Sequence, residues 1–338
     1  MQVKNGWSKI TTIDMHTGGE PLRIFTGGLP EVKGSNILEK RRYFRDHLDH
    51  IRKRIMWEPR GHADMYGAVI TEPFSDGSDF GAFFMHNEGY STMCGHAIIA
   101  LSKYVLEMGL IKKAEKDPIL RIDAPPGVII SQAFRNDDIV EKTSFLNVPS
   151  FLLIRDEKLI VEGLGEISFD VAYGGAFYAF CNADEFGLKL DESHYNNLID
   201  AGKKIKHAVM KKFQITHPFE SDLSFLYGTI FIGKAYDPEN HSRNVCIFAN
   251  GELDRSATGS GLSARAALHH AKGELKLGEK ITIESILGTT MDVEVKDTIK
   301  YGPHDAVIPE VSGTAFFIGR NEFWFDPDDP LREGFIFR

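Results

Sequence analysis

The chain repeats itself, and the repeat limits what it can fold into. Asp14 is followed at +4 and +5 by Gly18 and Gly19, and Asp170 at the same offsets by Gly174 and Gly175. Each glycine pair opens a strand-like run, Pro21 to Phe25 and Ala176 to Cys181. Further on, Cys94-Gly95-His96 leads into apolar residues at helical spacing and reaches Gly109 at +15. Thr258-Gly259-Ser260-Gly261 leads into a small-residue helical pattern and reaches Gly273, also at +15. Phe84 precedes Cys94 by ten, as Phe248 precedes Thr258. A β-rich segment ending in glycine follows each helix, Leu120 to Gly127 and Ile281 to Gly288. Shared order, offsets and residue class argue against chance. The reading is a duplicated α/β unit. Each copy has strands, a glycine turn, one helix of about four turns with a glycine C-cap, then more strands.

The duplication sets Cys94 and Thr258 at equivalent places, each at a helix N-terminus. Such an end leaves its first N–H groups unpaired and carries partial positive charge. Glycine lets the backbone approach a ligand closely. Two such ends facing each other would cage an anion such as a carboxylate. The same field favours a thiolate, so Cys94 is expected to have a lowered pKa and to serve as base or nucleophile. Taken singly, these residues have plainer readings. Cys94 reads as a core thiol, Thr258 as an ordinary N-cap, and Gly95 and Gly259 as packing glycines. His96 is either a ligand donor or a polar residue of the first turn. Asp254 either binds a cationic amine or is an acid near a helix N-terminus.

Composition narrows the function classes. At 338 residues the chain has room for about two domains, and its net charge of -9 argues against a basic nucleic-acid footprint. No apolar run approaches the ~20 residues of a membrane span. Met1 to Ile10 lacks the basic and apolar regions of a signal peptide. Cys94, Cys181 and Cys246 are odd in number and widely spaced, which gives neither a disulfide framework nor a Cys-x-x-Cys metal site. A cytoplasmic setting fits them. Cys181 and Cys246 sit in apolar runs and are expected to be buried, inert thiols. The charged stretch from Glu39 to Arg54 has Tyr43, Phe44, Leu48, Ile51 and Ile55 at helical spacing, so a helix with a solvated face is expected there. Arg60, His62 and Asp64 form a polar cluster read as structural support, since arginine is a poor metal ligand. No phosphate loop or lysine context points to a nucleotide or pyridoxal cofactor.

Four stretches carry a family resemblance: Asp14-Met-His-Thr-Gly-Gly-Glu-Pro, Glu58-Pro-Arg-Gly-His-Ala-Asp-Met-Tyr-Gly-Ala, Met93-Cys-Gly-His and Asp254-Arg-Ser-Ala-Thr-Gly-Ser-Gly. They resemble the proline racemase family, and the similarity runs from near residue 10 to the C-terminus. The resemblance implies an α/β, diaminopimelate-epimerase-like fold, with two pseudo-symmetric domains that each wrap strands around a central helix. It places the first domain at 1–150 with a returning segment 320–338, and the second at 151–319. It also implies a cofactor-independent enzyme without a metal, acting on a small proline-type amino acid, in a homodimer.

Racemase and 4-hydroxyproline epimerase members use two cysteines on opposite faces of the α-carbon. The second falls where this chain has Thr258. That Cys/Thr pattern resembles the trans-3-hydroxy-L-proline dehydratase branch. A hydroxyl is a far weaker acid than a thiol, so two-base inversion is disabled. Elimination needs only one base. In trans-3-hydroxy-L-proline the α-hydrogen and the 3-hydroxyl share one ring face, so Cys94 could take the proton and then, as a thiol, assist loss of water. The resemblance makes Cys94 and Thr258 the catalytic positions. It assigns the substrate carboxylate to the amides of Gly95, His96, Gly259 and Ser260, and the ring nitrogen to His96 and Asp254. The competing expectations are a 4-hydroxyproline epimerase or proline racemase and, in another class, a non-catalytic amino-acid-binding protein.

Overall fold

The computed structural model describes residues 6–337. Met1–Asn5, part of the stretch weighed against a signal peptide, lie outside the described residues.

Strand pairing makes the duplication explicit. In the first half, Ser8–Thr17 pairs antiparallel with Glu20–Gly27, which pairs parallel with Tyr66–Thr71. Tyr66–Thr71 pairs antiparallel with Phe80–His86, which pairs parallel with Ile119–Ala124. Antiparallel steps to Gly127–Asn136 and Ile139–Leu146 complete the series. The second half repeats each step: Gly165–Tyr173, Phe177–Asn182, Leu226–Gly233, Ser242–Phe248, Lys280–Glu284, Thr290–Tyr301 and His304–Gly313. Ser150–Val161 pairs with both Gly165–Tyr173 and His304–Gly313, which closes the second set into a barrel. The chain then crosses back, and Ala315–Phe325 pairs with Ser8–Thr17 of the first set. Parallel steps need long connections. These carry the helices α1 (Ile37–His47), α2 (Asp49–Met56), α3 (Gly95–Glu107), α4 (Tyr195–Lys212) and α5 (Gly259–Lys272).

The fold is therefore α/β with two pseudo-symmetric units, each wrapping strands around one central helix. α3 is buried from Gly95 to Val105, and α5 from Gly259 to Leu268. A helix apolar all round belongs inside a core. Small residues keep α5 thin enough to sit inside its barrel: Ser260, Gly261, Ser263, Ala264, Ala266 and Ala267 are all buried. As the repeat predicts, Gly109 and Gly273 follow the two helices with φ of 68° and 78°.

The charged stretch after Glu39 differs from its expectation. It forms two helices that break at Leu48, and Arg41 and Arg52 are buried rather than solvated. Carbonyl oxygens explain this. Arg41 donates to Tyr90 O at 3.0 Å and Arg52 to His86 O at 2.9 Å. None of the described helices is long and apolar enough to cross a membrane.

Candidate active site

Cys94 is the N-cap of α3 and Thr258 the N-cap of α5. The two helix mouths meet glycine to glycine. A Cβ built on Gly95 would lie 2.6 Å from Gly259 Cα, and one on Gly259 would lie 2.8 Å from Gly95 Cα. Only residues without a side chain allow this approach. The amides of both first turns consequently open into one cavity. It is lined by Cys94, Gly95 and His96 from the first half and by Asp254, Thr258, Gly259 and Ser260 from the second. All seven residues singled out in the sequence are brought together. The enclosed space is about 20 Å³, room for little more than one water.

The two N-caps differ in geometry as well as chemistry. Cys94 has extended backbone, φ −145°. Thr258 has φ 66° and ψ 89°, a costly region for a β-branched residue. Local hydrogen bonds hold it there. Ser256 Oγ accepts from the Thr258 amide at 3.0 Å, and Thr258 Oγ1 donates to Asp254 Oδ2 at 2.7 Å. Asp254 Oδ1 in turn accepts from the Ser256 amide at 2.8 Å. The threonine hydroxyl hydrogen is thus committed to a carboxylate, and its lone pairs remain.

Cys94 is buried, with Sγ 3.2 Å from His96 Nδ1. The lowered thiol pKa expected at a helix mouth is not what the structure gives. Burial pushes the Cys94 thiol well above its ordinary value, and Asp254 and Glu20 push the same way against the Ala97 amide and the Tyr66 hydroxyl. The reason is burial, which removes water, with no cation among the described residues beside the sulfur. His96 does not supply one either, because burial holds its imidazole down to about 4. Thiol and imidazole form a neutral pair at neutral pH.

Several lining residues escaped the sequence reading. Tyr66 and Tyr227 wall the cavity, Tyr66 packing edge-on against His96 with centroids 4.8 Å apart. They are partners in the repeat, Tyr66-Gly67 and Tyr227-Gly228 opening equivalent strands, so the duplication carried the signal. Tyr178 Oη lies 2.7 Å from Ser260 Oγ. Cys246 is buried as expected, yet it lines the cavity rather than only filling core. Glu20, inside the first quoted motif, also lines it.

Contacts join the two halves around the site and beyond it. Arg255 Nη1 donates to Asp64 Oδ2 at 2.6 Å, and Glu20 Oε2 accepts the Arg255 amide at 2.7 Å. His86 Nδ1 meets Glu252 at 3.0 Å, and Arg42 meets Asp222 at 2.8 Å. Asp64 therefore ties the halves together beside the site, whereas Arg60 donates to Arg54 O at 2.6 Å, away from it. Among the described residues, no group of three or more His, Cys, Asp or Glu is placed to hold a metal.

Known proteins share this architecture over its full length. The family described as Proline racemase matches residues 12–336. A trans-3-hydroxy-L-proline dehydratase of Colwellia psychrerythraea is 49% identical over 329 residues, which is 97% of this chain and 93% of that protein. The trans-3-hydroxy-L-proline dehydratase of Homo sapiens is 42% identical over 339 residues, 98% of this chain and 96% of its own. The crystal structure of a hydroxyproline epimerase from Agrobacterium vitis with bound trans-4-hydroxy-L-proline has a TM-score of 0.91 and 26% identity, covering 98% of this chain and 96% of that one. With the duplicated fold, the paired helix mouths and this extent of similarity, the chain belongs to the proline racemase family.

Proposed function

We propose that the protein is a trans-3-hydroxy-L-proline dehydratase that removes the α-proton with Cys94 and expels the 3-hydroxyl as water. The observation that carries this reading is the unequal pair of N-caps, a thiol on α3 and an Asp254-bound hydroxyl on α5. The names of the dehydratase relatives supply the substrate class, and the carboxylate and ammonium of such an amino acid match the helix-mouth amides and the acids among the lining residues.

The residues divide the work as follows. The amides of Gly95, His96, Gly259 and Ser260 hold the carboxylate, and they stabilise the charge that builds on it as the α-proton leaves. Asp254, with neutral His96 beside it, takes the ring ammonium. That cation stands near Cys94 and offsets the burial that raises the thiol, so binding itself moves Cys94 toward thiolate. The Cα–H bond then breaks, its proton going to sulfur and its electron pair to the enolate. Collapse of the enolate forms the C2–C3 double bond and breaks C3–O. The product is Δ2-pyrroline-2-carboxylate, which tautomerises to the Δ1 form. Thr258 contributes only its lone pairs and orients the substrate. Because the sealed cavity is smaller than the substrate, the two halves part to admit it and close again.

A substrate panel tests the reading. The purified protein is incubated with L-proline, trans-4-hydroxy-L-proline and both 3-hydroxy-L-proline diastereomers. Pyrroline formation from the trans-3 isomer, without inversion of the others, is expected. Inversion of 4-hydroxyproline with no pyrroline from the trans-3 isomer would make the protein an epimerase instead.

A further inference from the structure

Glu20 opens the strand Glu20–Gly27 and is wholly buried. Its Oε2 accepts the Arg255 amide at 2.7 Å. Its Oε1 is also buried and meets no hydrogen-bond partner among the described residues. The residue shares the cavity with Cys94, Asp254 and Thr258. The charges around it are Asp254, Asp64 and the Arg255 guanidinium, and that guanidinium is already held by Asp64 at 2.6 Å. An ionised carboxylate here would leave one oxygen bare in a water-poor space between two other acids. Burial, with Asp254 next, accordingly pushes the Glu20 carboxyl well above the usual carboxylate range. Glu20 keeps its proton at neutral pH. Since Oε2 is occupied as an acceptor, the proton belongs on Oε1. The result is a buried O–H donor with no acceptor among the described residues. Buried donors are almost always satisfied, so this one points to an acceptor that arrives with the ligand.

Building on the dehydratase reading above, we propose that Glu20 is the general acid of the elimination, donating its Oε1 proton to the 3-hydroxyl as the C3–O bond breaks. The substrate has two acceptor groups. The helix-mouth amides take the carboxylate, which leaves the hydroxyl for Glu20. The step balances. The α-proton goes to Cys94 sulfur, the enolate electrons form the C2–C3 bond, the C3–O pair stays with oxygen, and the Glu20 proton completes water. The thiol then returns its proton to the Glu20 carboxylate through solvent and both groups are reset. Hydroxide is a poor leaving group, so an acid at this position supplies what a lone base lacks. The rival donor is the Cys94 thiol itself.

Glu20→Gln keeps an oxygen for the Arg255 amide but has no proton to transfer. Its rates are compared with wild type on trans-3-hydroxy-L-proline and on trans-3-fluoro-L-proline, once circular dichroism shows the native fold. Fluoride departs without full protonation. The expected result is loss of water elimination by about 10²–10⁴-fold, with fluoride release within about threefold of wild type. Equal slowing of both substrates, or of neither, overturns the proposal. On the wild-type enzyme, kcat for the hydroxy substrate should fall at alkaline pH while kcat for the fluoro substrate does not, and coincident profiles likewise overturn it. Failure of wild type to form pyrroline from either substrate would sink the dehydratase reading rather than the role of Glu20 within it.

Discussion

Thr258 Oγ1 donates to Asp254 Oδ2 across 2.7 Å. The position where a second thiol would stand is thus a hydroxyl whose hydrogen already has an acceptor. It holds no proton ready for a carbanion and is a poor base for removing one. The expected effect of Thr258→Cys is a second thiol opposite Cys94. Inversion of L-proline or trans-4-hydroxy-L-proline should then rise at least ~10²-fold over wild type, as read by chiral chromatography. A variant that gains no inversion would place the block elsewhere than at Thr258.

The contact of Gly95 with Gly259 makes a stability prediction. In Gly95→Ala the new Cβ would sit 2.6 Å from Gly259 Cα, and backbone rather than a flexible side chain must yield. The helix mouths would be forced apart, with a cost of about 1–3 kcal/mol and loss of the proposed carboxylate cage. Thermal unfolding and turnover should both fall. Unchanged melting with unchanged kcat/KM would show that the mouths are not in contact in solution.

The neutral thiol–imidazole pair sets the pH dependence. Burial raises Cys94, so the reactive thiolate of the free protein grows as pH rises, and kcat/KM for trans-3-fluoro-L-proline, whose leaving group needs no acid, should climb through the alkaline range. No limb near pH 6.5 should come from His96, whose imidazole burial holds down to about 4. Its effect is on stability. Between 6.5 and about 4 the unfolded chain binds a proton that the folded imidazole refuses. Stability is therefore full above that window and falls as pH drops through it. Denaturant midpoints from pH 7 to 4 check the sign for wild type against His96→Asn, which should flatten the fall. An equal fall in both proteins would assign it to other groups.

Much of the fold and half of the site are legible in the amino-acid order alone. The repeat of glycine offsets predicts two equivalent units and sets Cys94 and Thr258 at matching helix mouths, because chain geometry forces those offsets. Residues whose roles depend on closure are not legible in this way. Glu20 reads as one letter of a motif, since only the meeting of the halves brings it under Arg255 and beside Asp254. The upward shift of Cys94 is hidden for the same reason. A helix end favours a thiolate locally, but the surrounding walls, Tyr66 from one half and Tyr227 from the other, remove the water. Arg41 and Arg52 read as solvated because their charges are local, while the carbonyls that bury them come from the distant segment His86 to Tyr90.

The most direct test of the one-base account is the rate at which Cys94→Ala converts trans-3-hydroxy-L-proline to pyrroline-2-carboxylate, beside wild type and Thr258→Ala. Without the thiol, the account predicts a loss of at least ~10³-fold with the fold intact, and Thr258→Ala, which removes an orienting contact but no base, should lose far less. Pyrroline formation by Cys94→Ala near the wild-type rate would contradict it.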